Sequence, residues 1–420
     1  MKIFSSSANK NNIFNNITVF SFGLFPILPN NIKGLPVILL IVSALVDSVK
    51  NKSFKRDNKL KVSFFLIMAS VYFFYLLSGI YSENVVIFGK KLETGLSLLL
   101  VPLAFLFNKN IISNKSINYF KVTFIISTIF FIVFFWSYNI LYYTSSIFTL
   151  RTIDLRKIID VIPLISLHPI YASMIFAIAL FLLLGFWKKI KNYLFFSTLI
   201  ILILNIVILA SKMVIISLIL ISLFFLIKNR KKYYHKAAIL IAISFMSIAF
   251  IMFTPNLRQR FNEMLLPKTY KKVIVWNSTS IRNAIYRCSF ELLENKWLIG
   301  YGIGDVQDNL NDCYEKTSNV LLDDNYNSHN QYLSILLGTG VLGLLSFVIM
   351  LWYNYKLAFN NYDMLFLSIL FLFSLNFLTE NLLERQSGVI LFTFLINLFG
   401  WKNFAKTEMS GKISNKKLIT

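Results

Sequence analysis

Residues 169–187 read Pro169-Ile-Tyr-Ala-Ser-Met-Ile-Phe-Ala-Ile-Ala-Leu-Phe-Leu-Leu-Leu-Gly-Phe-Trp187, and Lys188-Lys-Ile-Lys191 follows at once. As a helix the run is about 28 Å long and uncharged, so it suits a hydrocarbon core of about 30 Å and ends in lysines that favour one side of a membrane. Similar runs recur at 13–29, 32–49, 62–80, 85–107, 118–141, 193–209, 212–227, 237–253, 331–352, 364–379 and 386–401. Together they predict an all-α fold, a polytopic membrane helical bundle of about 12 transmembrane helices with one long external loop containing a short helix. Composition agrees: 56% of the 420 residues are hydrophobic and only 15% charged. No repeat or linker divides the chain, which predicts a single membrane domain over 1–420.

Charge then orients the bundle. With both termini on one side, 25 of the 42 Lys and Arg fall on that side, but only Asp47, Asp57, Asp363 and Glu408 of the 19 acids do. This is the positive-inside pattern, so both termini are expected to be cytoplasmic and the long loop at 254–330, between the ninth and tenth spans, external. The formal charge of +23 is therefore a topology signal spread over every inner loop, with attraction to anionic membrane lipids as its secondary effect. Nucleic acid is excluded as a partner, because no single basic patch forms.

The external loop carries the chemistry-bearing residues. Ser280 is placed to cap a helix running to about Trp297, with Ile281, Ala284, Ile285, Cys288 and Leu292 on one apolar face. Gly300-Tyr-Gly-Ile-Gly304 then reads as a tight turn, not as a nucleotide loop, since no strand precedes it. Arg282 and Arg287 are about 140° apart around the helix. Arg287 has Glu291 four residues on, which leaves Arg282 as the freer cation for a phosphate. His329, in Asn327-Ser-His-Asn-Gln-Tyr-Leu333, stands where the chain re-enters the membrane and suits a general base; the bland alternative is an interfacial histidine capping the next helix. His235 sits in a solvated basic run.

Lys212, after Ala210-Ser211 among Ile and Leu, is an ionisable residue at an external hinge, and Lys90 and Lys91 interrupt the outer end of the fourth span. Asn330, Arg287, His168 and Glu380 complete the candidate set. Asp305, Asp308, Asp312, Glu315, Asp323 and Asp324 read as a solvated acidic stretch whose spacing fits no calcium loop, so neither a metal nor another cofactor is expected. Cys288 and Cys313 both lie in the loop. A disulfide between them would be worth ~3 kcal/mol by loop entropy, and two free thiols fit the spacing equally well.

Taken in order, Ser280-Ile-Arg-Asn283, Leu298-Ile-Gly-Tyr-Gly-Ile-Gly304, Ser328-His-Asn-Gln-Tyr-Leu333 and Gly338-Thr-Gly-Val-Leu-Gly343 resemble the O-antigen ligase and polymerase superfamily of bacterial envelope proteins. Lys90-Lys-Leu-Glu-Thr-Gly95 and His168-Pro-Ile-Tyr171 are similar to segments of relatives, and Lys212 stands where that family usually has arginine. The resemblance implies a metal-independent glycosyltransferase of the bacterial inner (cytoplasmic) membrane with its long loop periplasmic. It would move a glycan from an undecaprenyl-pyrophosphate carrier to a hydroxyl of a lipid or glycan acceptor. Arg282, Lys212, Lys91 and Lys90 would hold the pyrophosphate, and His329 would act as base. The alternatives are a repeat-unit polymerase, a protein-directed oligosaccharyltransferase and, from another class, a polysaccharide flippase. The flippase is disfavoured by the absence of inverted repeats.

Overall fold

The computed structural model describes residues 10–51, 59–142, 152–227, 265–275, 277–323 and 325–417, with isolated positions at 241, 245, 252, 258 and 262. The span expected at 237–253 falls largely outside the described residues, as do His235, Asp324 and the start of the long loop. Every regular element among the described residues is helical. In chain order they are α1 (Lys10–Gly23), α2 (Leu35–Asn51), α3 (Lys59–Ser78), α4 (Val85–Gly95), α5 (Ser97–Phe107), α6 (Asn114–Tyr142), α7 (Thr152–Val161) and α8 (Pro169–Leu184). There follow α9 (Asn192–Ile208), α10 (Lys212–Ile227), α11 (Ser278–Lys296), α12 (Val306–Thr317), α13 (Asn319–Asp323), α14 (Gln331–Asn360), α15 (Met364–Asn376) and α16 (Gln386–Lys417).

Five segments are long and apolar enough to cross a membrane: Asn30–Val49, Lys59–Ser78, Asn114–Tyr142, Gln331–Asn360 and Gln386–Met409. Four more helices, Pro169–Leu184, Asn192–Ile208, Lys212–Phe225 and Met364–Asn376, are equally apolar but shorter. By that measure the described residues do not reach the twelve spans expected. Two differences have local causes. The first expected span stops at Gly23, because Pro26 and Pro29 turn the chain. The span expected at 85–107 is two helices meeting at Leu96, whose N–H bonds Glu93 O in a tightened turn.

The apolar run at 169–187 forms α8, which ends at Leu184 and is buried on nearly every side. It is a central post: α6, α9, α10, α15 and the small α7 pack around it. A second group of helices, α3, α5, α14 and α16, packs beside it with aromatic contacts such as Phe64 stacked on Phe404. A helix apolar all round is what such a position demands.

The 277–323 region builds a small core of its own. Ile281, Ala284, Ile285, Cys288, Leu310, Cys313, Tyr314, Leu321 and Leu337 are buried together, and Cys288 and Cys313 are joined by a disulfide between α11 and α12. This module is threaded into α14 at a kink. Gly340 adopts φ 65°, and the gap in the helical ladder is filled from the loop. Tyr301 N donates to Leu337 O at 2.7 Å, Gly302 N to Gly338 O at 3.1 Å, and Val341 N to Trp297 O at 3.1 Å. A Cβ on Gly340 would stand 2.1 Å from Leu298 O, and one on Gly300 (φ 83°) 2.6 Å from Leu337 O, so backbones approach here as only glycine permits.

Candidate functional site

Asn277, not Ser280, caps α11: its Oδ1 accepts from Thr279 N and Ser280 N, both at 3.0 Å. The Ser280 hydroxyl instead accepts from Ile274 N at 3.0 Å and fastens the preceding loop. Capping and the buried face of α11 aim Arg282 at the bundle. Its partner there corrects the reading of a free cation, since Arg282 Nη2 lies 2.7 Å from Glu380 Oε1. The pair spans two segments far apart in sequence, which a search for partners within one helix cannot see. Arg287 turns away and donates to Tyr270 O at 3.0 Å, in place of the expected Glu291 partner.

Glu380 sits in the short connection between α15 and α16 and is only 8% exposed. Burial by itself would raise its carboxyl. The neighbouring His329 imidazole and the charges of Arg282 and His168 outweigh that and hold it at about 2. The same oxygen, Oε1, lies 3.7 Å from His329 Nδ1. His329 is therefore no helix cap. Asn330 has that role, with Oδ1 accepting from Tyr332 N at 2.9 Å and Leu333 N at 3.2 Å. His329 itself adopts φ 43°, a strained conformation for a side chain this size, with its N–H on Asn327 Oδ1. The Tyr286 hydroxyl lies 2.8 Å from Leu378 O and 3.3 Å from His329 O, and so ties α11 to both segments.

Arg282, Lys212 and Arg156 converge on one cavity of about 290 Å³, with Tyr270 and Tyr286 on its wall and Ile170, Met213 and Ile216 as its apolar side. Lys212 opens α10 after Ala210, which turns the chain at φ 47°. Sequence reading missed Arg156. It lies on α7, whose Leu155, Ile158 and Ile159 are buried, and its Nη1 donates to Leu209 O at 2.6 Å. The available signal was amphipathicity: Leu155, Ile158 and Ile159 make one apolar side of a short helix, with the arginine beside it.

Lys90 and Lys91 are not brought to that cavity. They line another, of about 210 Å³, with Ser334 and Glu384. Lys91 Nζ lies 3.1 Å from Glu384 Oε2, Asn381 Nδ2 donates to Glu384 Oε1 at 2.8 Å, and the Ser334 hydroxyl also donates to that carboxylate. Burial opposes ionisation of Glu384, but Lys91 and these hydrogen bonds hold its carboxyl below the ordinary range. Asp305 accepts from Glu83 N at 2.8 Å and Asn84 N at 2.7 Å at the start of α4, so it is a fastening and not merely a solvated acid. His168, at the head of α8, lines a third cavity.

Residues 197–348 match the model of the O-antigen ligase family. Over that stretch the chain is similar to O-antigen ligases. Lys212, Arg282, Arg287, His329 and Asn330 lie inside the matched stretch, whereas Arg156, His168, Lys90, Lys91, Glu380 and Glu384 lie outside it. The similarity is to a family of glycan ligases and polymerases, and together with the apolar helices it supports a multi-pass membrane protein. No curated protein matches the chain.

Proposed function

We propose that the protein transfers a glycan from an undecaprenyl-pyrophosphate carrier to a hydroxyl of a lipid or glycan acceptor, as an O-antigen ligase, at the outer face of a bacterial inner membrane. The observation that carries this is the convergence of Arg156, Lys212 and Arg282 on a cavity with an apolar side at Ile170, Met213 and Ile216. Guanidinium and ammonium groups suit a pyrophosphate, and the apolar side suits the start of a polyprenyl chain. The reading includes about twelve spans, cytoplasmic termini and a periplasmic loop. An oxidising compartment for that loop is supported by the Cys288–Cys313 disulfide.

In this mechanism Glu380 orients His329 through Nδ1, leaving Nε2 to take the proton of the acceptor hydroxyl. The hydroxyl oxygen attacks the anomeric carbon as the bond to the pyrophosphate oxygen breaks. The cations take up the charge that develops on the leaving group, so neither a metal nor protonation of the pyrophosphate is needed. A single displacement inverts the anomeric centre.

The test is loss of surface glycan in His329→Ala and Arg282→Ala strains with normal membrane levels of both proteins. Wild-type glycan in both would overturn the mechanism. In a deletion strain, loss of the whole lipid-linked ladder supports a ligase, whereas collapse to a single repeat unit identifies a polymerase and accumulation on the inner leaflet a flippase.

A further inference from the structure

On α7, Arg156 and Asp160 are four residues apart, one turn along the same face and about 6 Å from each other. Arg156 lines the cavity shared with Arg282 and Lys212, and Asp160 lines the third cavity, of about 260 Å³. The α15–α16 segment repeats the arrangement. Asn376 and Thr379 border the first cavity, and Arg385 and Gln386 border the other. The two cavities thus share α7 and the 376–386 segment in their linings.

The third cavity is built for hydroxyl groups. Arg385 and Asp160 balance each other in charge, and Asn30, Ser166, His168 and Gln386 add side chains that donate and accept. Asn30 is held in place: its Nδ2 donates to Ser166 O at 3.1 Å and Ser166 Oγ at 2.8 Å, while the buried Lys33 ammonium donates to its Oδ1. His168 Nδ1 is buried and has no hydrogen-bond partner among the described residues. Burial, against the pull of Glu380, pushes this imidazole down to about 4, so near neutral pH it offers one donor and one acceptor. A phosphate would call for net positive charge and a lipid tail for an apolar lining. A sugar ring, neutral and ringed with hydroxyls, fits what is there.

We propose that this cavity is a binding subsite for a sugar residue of the donor glycan, one position beyond the residue joined to the pyrophosphate. The proposal rests on the carrier-pyrophosphate reading of the first cavity. The donor is favoured over the acceptor because a chain anchored at Arg156 and Arg282 meets Asp160 and Arg385 next along the shared segments.

The experiment uses the full chain in nanodiscs, one acceptor, and two synthetic donors on the same carrier, bearing either a monosaccharide or an oligosaccharide. His168→Ala and Gln386→Ala are each expected to lower kcat/KM for the oligosaccharide donor at least about tenfold more than for the monosaccharide donor. His168→Gln, which keeps a donor and an acceptor, should restore most of that preference. Equal losses on both donors, with no rescue by His168→Gln, overturn the proposal. A raised acceptor KM with an unmoved donor ratio overturns the assignment to the donor. A wild-type protein that turns over neither donor overturns the pyrophosphate reading, and the subsite with it.

Discussion

Arg282 Nη2 stands 2.7 Å from Glu380 Oε1, so the arginine at the cavity is already held by a buried carboxylate. Because His329 Nδ1 is 3.7 Å from the same oxygen, Glu380 joins the charge at the cavity of Arg156 and Lys212 to the residue proposed as base. Glu380→Gln should keep the shape and lose the orientation of His329, lowering kcat by about 100-fold with a smaller change in donor KM. Steady-state kinetics checks this, and an unchanged kcat would remove Glu380 from the mechanism.

Acid should loosen the same junction. The Glu380 carboxyl lies at about 2, below its ordinary 4.5, so its contribution to stability is present above 4.5 and is lost as pH falls toward 2. The melting temperature in detergent should therefore drop by several degrees across that window. Glu380→Gln should flatten the drop, although its starting stability is lower.

The three cavity cations should act on the developing charge. Arg156→Ala and Lys212→Ala are each expected to reduce kcat/KM by about 100-fold, and Arg156→Lys to recover only part of that, because an ammonium lacks the paired donors. Lys212→Arg should retain activity or raise it.

Lys91 and Glu384 offer a test by paired substitution, since the carboxylate is nearly buried and the lysine only partly so. Lys91→Ala leaves Glu384 without its cation and should destabilise by about 3 kcal/mol, whereas Lys91→Met with Glu384→Gln should cost less than the single change. Thermal unfolding of the three variants measures the difference.

Gly340→Ala should be far more damaging than an ordinary glycine-to-alanine change, because the new Cβ would stand 2.1 Å from Leu298 O in addition to the strain at φ 65°. The expected result is a loss of more than about 2 kcal/mol, or failure to accumulate in the membrane. Gly89→Ala, where a Cβ meets nothing within 4 Å, is the control.

The helical class and the apolar face of α11 were legible in the sequence because both rest on periodicity and run length. So was the ordered set around Arg282, His329 and the glycines, because a family pattern marks it. Pairings between distant segments were not. Nothing near Arg282 in sequence points to Glu380, and nothing near Lys91 points to Glu384, since both acids lie in the connection after α15 and become partners only once α16 packs. Arg156 was hidden for another reason: α7 is too short to stand out among spans, and its arginine resembles any other loop charge. The left-handed turn at His329 also has no local signature, being set by Asn327 and Asn330 on either side.

The hydrogen bonds from Tyr301 and Gly302 to Leu337 and Gly338 make the loop module and α14 one continuous backbone object. Anyone exchanging loops between relatives to alter acceptor choice would have to transplant the upper half of that helix as well. The interchangeable cassette in this protein is not the loop; it runs from Asn277 through Gly343.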